Sequence, residues 1–140
     1  MYFPDLSPYT YGHYRHFNPS ADVVNVGWLS PQESFAKAPA SVEVLSRLLR
    51  LCFFRQRQTR GIYRSEFQPQ SHPYLVSYQG REMQLGSAEL WVPGRAGRVY
   101  ACPNLVYHYV KDLEYQPPQE FVDALLALDI ERFAGMKQAT

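Results

Sequence analysis

The clearest periodicity in the chain runs through residues 42–54, where Leu45, Leu48, Leu49 and Cys52 recur at the i, i+3, i+4, i+7 spacing of one helical face. Ser41 stands at the N-cap position, Glu43 lies in the first turn, and Arg47 and Arg50 follow, the charge order that a helix dipole favours. A helix from Val42 to about Phe54 is therefore predicted, with Cys52 as a packing residue rather than a nucleophile. Alternation, the second pattern, runs over 84–92 around Leu85, Ala88, Leu90 and Val92. It resumes at 98–101 after the turn residues Pro93-Gly94-Arg95-Ala96-Gly97, so this stretch reads as a hairpin. Shorter extended runs are predicted at 23–29, 62–67 and 74–78, the last closed by a Gln79-Gly80-Arg81 turn.

Residues 105–113 carry enough Val and Tyr for a strand, but helix is the better reading. Pro103 suits a first helical position, and helical spacing puts Asn104, His108 and Asp112 on one face and Leu105, Tyr109 and Leu113 on another. A second helix is predicted from Pro117 or Pro118, with Glu120 in its first turn and Phe121, Leu125 and Leu128 buried. Residues 1–40 hold five prolines among eight Tyr, Phe and Trp residues. That composition opposes both a long helix and disorder, so an irregular arm wrapping the core is expected. The expectation for the whole chain is one α+β domain over 1–140: the arm (1–40), a core (41–134) and a frayed tail (135–140). The core would hold an antiparallel sheet of about four or five strands, one packed helix and a C-terminal helical pair.

Composition narrows the class of protein. A chain of 140 residues at 46% hydrophobic content can bury one core without staples. Cys52 and Cys102 are too few for a disulfide scaffold and sit among apolar neighbours, which suits buried thiols in a reducing compartment. No signal-peptide pattern opens the chain and no run of about 18 apolar residues occurs, so a cytoplasmic protein with no membrane span is expected. Net charge is only +1, which disfavours a nucleic-acid partner, but Arg47, Arg50, Arg55, Arg57, Arg60 and Arg64 crowd one stretch. With 11 Tyr and 8 Phe residues, the chain is rich in the types enriched at recognition surfaces.

No Gly-rich phosphate loop, CxxC, HExxH or GxSxG motif is present. His13 and His16 have no Cys near them and only Asp5 as a carboxylate, so no metal site and no cofactor is expected. The candidate catalytic residues are His108 with Glu66 or Glu89, three polar groups inside apolar segments that could meet in a Tyr-rich cleft. Strand alternation gives Glu89 the competing assignment of a solvent-facing position. The candidate binding residues are Arg57, Arg60, Arg64 and Tyr63 in the basic stretch, with Tyr107 and Asn104.

Several phrases also occur together in order: YFPDLSPY at 2–9, NVGWL at 25–29, RG followed by EF within 60–67, LGSAEL at 85–90, and YACPNLVYHYV then YQPPQEF within 100–121. In these the chain resembles an uncharacterised family of small bacterial proteins of unknown function. The resemblance implies one fold over 2–128 and a bacterial source, and brings no activity. It also implies, in many members, a His and two Cys around the positions of Tyr63, Ser65 and Gln68 and a further His at that of Leu113; this chain has none of them. The leading functional expectation is a cytoplasmic binding protein, an adaptor or immunity-type inhibitor of another protein, with a homo-oligomer compatible. A hydrolase- or lyase-like enzyme built on His108 is the alternative.

Overall fold

A computed structural model of the chain describes residues 2–9, 22–54, 57–58, 65–67, 73–130 and 132. Helix α1 (Val42–Phe54) starts where the sequence places it, with Ser41 Oγ accepting the Val44 N–H at 3.1 Å. Its buried stripe is Val44, Leu48, Leu51 and Cys52, with Leu45 and Leu49 half-buried beside it. The stripe is thus rotated from the predicted one, because α1 packs against two helices as well as against the strand Tyr74–Tyr78.

The main sheet has four strands in the order β1 (Asp22–Asn25), β6 (Arg98–Pro103), β5 (Ala88–Pro93), β2 (Arg57–Gln58). Strands β5 and β6 form the expected antiparallel hairpin, closed by a 3₁₀ turn at Arg95–Gly97 in which Ala96 and Gly97 take φ of 56° and 79°. Two features differ from the all-antiparallel expectation. Strand β1 runs parallel to β6, and β3 (Tyr74–Tyr78) with β4 (Arg81–Leu85) forms a separate two-stranded ribbon. The alternating run at 84–92 is therefore two strands. Leu85 ends β4, Gly86 turns at φ 119°, and its N–H is held by Asn104 Oδ1 at 2.8 Å before β5 begins.

Other boundaries shift for equally local reasons. The strand expected at 23–29 stops at Asn25 because Gly27 takes φ +77°, after which Trp28 bridges to Phe3. Pro103 ends β6 instead of opening a helix. The Asn104 N–H goes to Ala88 O at 3.0 Å, extending the strand pairing, so helix α2 spans Val106–Asp112. Helix α3 spans Gln119–Ala127, with Phe121 and Leu125 fully buried. Of the run expected as a strand at 62–67, residues 65–67 form a turn and 62–64 lie outside the described residues, as do His13, His16 and 133–140.

The two faces of the sheet are covered differently. Leu90 and Val92 of β5 point into the main core with the helices, while Trp91 joins Tyr9, Val23, Trp28 and Ala101 on the other face. Residues 2–9 close that second face by antiparallel bonding, Leu6 N–H to Asn25 O at 2.7 Å and Tyr9 N–H to Val23 O at 2.9 Å. Asp5 ties this arm to the far end of the chain, accepting the Tyr115 hydroxyl at 2.7 Å and the Gly27 N–H at 3.0 Å. Among the described residues no helix is long and apolar enough to cross a membrane.

Candidate functional site

Helix α2 buries each residue from Val106 to Val110, and His108 goes inward with them at 4% exposure. A buried imidazole must find partners for both nitrogens, and His108 does. Nδ1 lies 2.8 Å from Asp112 Oδ2 one turn along the helix, and Nε2 lies 2.9 Å from Ser65 Oγ, 43 residues away in sequence. Chemistry fixes the polarity. An ionised carboxylate only accepts, so Nδ1 carries the proton, and in the neutral ring Nε2 then accepts the Ser65 O–H. Ser65 Oγ in turn accepts the Phe67 N–H at 3.2 Å.

Tyr74 on β3 braces the group from the ribbon. Its hydroxyl donates to Asp112 Oδ2 at 2.5 Å, and its ring lies over the His108 ring at a centroid distance of 4.3 Å and a tilt of 40°. Burial alone would raise the Asp112 carboxyl, but the bonds from Tyr74 and His108 outweigh it and hold the group below the usual carboxylate range. Burial, then the bond to Asp112, pushes the Tyr74 phenol up, so it stays a donor.

The burial order along this relay is uneven. Ser65 is 1% exposed, whereas the Asp112 side chain is 41% exposed and lines an open cleft of about 680 Å³. Residues 31–35, Lys37, Phe67 and residues 112–114 form its walls. Phe67, whose N–H bonds to Ser65 Oγ, lines this cleft, so the serine's neighbour two residues on faces it. A larger cleft of about 770 Å³ lies at the other end, by α3. There Arg98 is already neutralised by Asp22 and Glu120, each at 2.9 Å, and Tyr100 donates to Glu120 at 2.9 Å.

The carboxylate that meets His108 is thus Asp112, where the sequence nominated Glu66 or Glu89. Glu66 is exposed in the turn after Ser65. Glu89 belongs to the opposite face of the sheet, where it accepts the Tyr9 hydroxyl at 2.7 Å and the Trp91 indole N–H at 3.0 Å. Nor does Glu89 face solvent, as simple alternation suggested: the arm covers that face and leaves it 4% exposed. Asn104 is 1% and Tyr107 9% exposed, and the Asn104 carboxamide holds Gly86. Arg57 sits in β2 at the sheet edge, while Tyr63, Arg60 and Arg64 lie outside the described residues. Arg47 is turned inward, donating to Leu125 O at 3.3 Å and Leu128 O at 2.8 Å at the end of α3.

The family model described as "Domain of unknown function (DUF7919)" matches residues 1–126. The chain belongs to the DUF7919 family. No curated protein and no solved structure matches it. In this DUF7919 member position 65 carries a hydroxyl bonded to His108. Among the described residues no three His, Cys, Asp or Glu side chains are grouped to hold a metal ion. Both thiols are buried, and burial pushes Cys52 up to about 12 and Cys102 well above the ordinary thiol value, so neither is a nucleophile at neutral pH.

Sequence reasoning missed Ser65 and Tyr74. His108 and Asp112 carried a local signal, since residues four apart share a helix face. Ser65 carried none, because nothing near it in sequence announces a partner 43 residues on.

Proposed function

We propose that the protein is a serine-dependent hydrolase of esters or amides, with Ser65 as nucleophile, His108 as general base and Asp112 as its orienting carboxylate. One observation carries this reading. The two His108 nitrogens are bonded to a hydroxyl and a carboxylate in the polarity that proton removal from the hydroxyl requires. In the reaction the Ser65 proton passes to Nε2 as the Oγ–acyl bond forms, and Asp112 stabilises the imidazolium. That proton then goes to the leaving alcohol or amine as its bond to the acyl carbon breaks. Water activated by the same nitrogen releases the acid and restores Ser65. Tyr74 acts as a positioning residue, since it holds Asp112 Oδ2 and covers the imidazole at once.

The test is labelling with an alkyl fluorophosphonate, followed by peptide mass spectrometry. One adduct on Ser65, lost in His108→Ala, is expected. An unlabelled Ser65 in folded protein sinks the reading.

A second reading rests on the burial order. A serine 1% exposed behind an aspartate that faces solvent reverses the usual disposition of a nucleophile and its orienting acid. In that case the relay is a latch fastening residues 65–67 to α2, and the protein acts by binding, as a cytoplasmic bacterial adaptor or immunity-type inhibitor. An unlabelled Ser65 favours this second reading.

A further inference from the structure

The cleft beside the relay has a chemistry of its own. Phe35 and Phe67 meet edge to face at 6.1 Å and 86°, making an aromatic corner, and the Phe35 ring also packs edge to face on buried Tyr115 at 6.0 Å. One cation already uses this corner: the Lys37 ammonium stands 5.3 Å from the Phe35 ring centroid. Among the described residues it forms no ion pair. The wall is rigidly set. Ala38 N–H bonds to Glu114 O and Gln116 N–H to Ala36 O, each at 2.9 Å, clamping 36–38 against the chain after α2. Among the described residues that line the cleft, Glu33, Asp112 and Glu114 are carboxylates and Lys37 is an ammonium, a net charge of −2.

An aromatic face inside a negative rim attracts a cation and repels an anion. We propose that the cleft seats a cationic group of the ligand, an alkylammonium or guanidinium, on the Phe35 face in place of the Lys37 ammonium. Lys37 is then an internal competitor that occupies the ring while the cleft is empty of ligand. The inference rests on the hydrolase reading only in calling that ligand a substrate, whose cationic alcohol or amine would be the leaving group.

The experiment separates the two ideas by using probes that differ in charge alone. Choline and its neutral isostere 3,3-dimethyl-1-butanol are titrated into the wild-type protein by NMR, and hydrolysis of their acetate esters is followed separately. Choline is expected to shift the amide signals of Phe35 and Phe67 and to bind about tenfold more tightly than the alcohol, the factor an aromatic–cation contact supplies. Lys37→Gln should tighten choline severalfold and leave the alcohol unchanged, while Phe35→Leu should erase the preference. Equal affinity for both probes, no shift at Phe35 and Phe67, or a Lys37→Gln protein that binds choline no better would each overturn the proposal. Choline preference without ester hydrolysis keeps the cation site and removes the hydrolase. Hydrolysis of both esters at equal rates, with no choline preference, does the reverse.

Discussion

Ser65→Ala isolates the relay from the rest of the fold, because it removes one oxygen and no apolar volume of consequence. Among the described residues that oxygen serves two groups: it meets His108 Nε2 at 2.9 Å and accepts the Phe67 N–H at 3.2 Å. His108 is 4% exposed, so in the variant Nε2 is stranded away from water, at a cost of roughly 1–3 kcal/mol for an unsatisfied buried group. The Phe67 N–H adds less, since Phe67 is only half-buried. A total loss of about 2–3 kcal/mol is expected, a drop of roughly 4–12 °C in Tm for a chain of this length. Guanidinium unfolding with an unchanged m-value should show it. In the wild type, ¹⁵N NMR should show the His108 proton on Nδ1, and a double-mutant cycle with Asp112→Asn should give coupling above about 0.5 kcal/mol, as for members of one network. A loss under about 0.5 kcal/mol, or the proton found on Nε2, would refute the relay as described.

Two further outcomes test its surroundings. Gly27→Ala should destabilise the fold by about 2 kcal/mol or more: Gly27 sits at φ +77°, and an added Cβ would lie 2.8 Å from Val106 Cγ2 at the start of α2; a midpoint within error of wild type in denaturant unfolding would contradict the close approach of Gly27 to α2. The Asp112 carboxyl is held below its unfolded value by the bonds from Tyr74 and His108, so its contribution to stability is present above the ordinary carboxylate value and is lost as pH falls through the folded value; the stability gap between wild type and Asp112→Asn, measured by denaturant midpoint against pH, should narrow below about pH 4.

How much of this was legible follows from the range of the interactions. Helix α1, the β3 strand and the β5–β6 hairpin were readable because cap, period and turn residues all lie within one element. The parallel pairing of β1 with β6 was not, since Val24 and Tyr100 carry no local mark of facing each other. The break at Gly86 was hidden by hydrophobic alternation on both sides of it, and only the distant Asn104 explains why the chain turns there.

The same rule explains why Glu89 looked like a catalytic partner for His108. A lone carboxylate between apolar residues of a strand has two ordinary explanations, an exposed face or an active site, and both assume that the other side of the sheet is open. Here residues 2–9 of the arm close that side and supply Tyr9, whose hydroxyl, with the Trp91 indole, satisfies Glu89 in place of water. Asp112 was passed over for the opposite reason. It read as one more charge on a helical polar face, yet its i,i+4 spacing to His108 is what lets it hold the buried imidazole. The exposure of Glu89 was misread because burial depends on what the rest of the chain lays over a strand, whereas spacing along a helix does not. In an arm-wrapped fold of this kind, a polar residue's own spacing is therefore the stronger guide to its partner, and the hydrophobicity of its neighbours the weaker guide to its exposure.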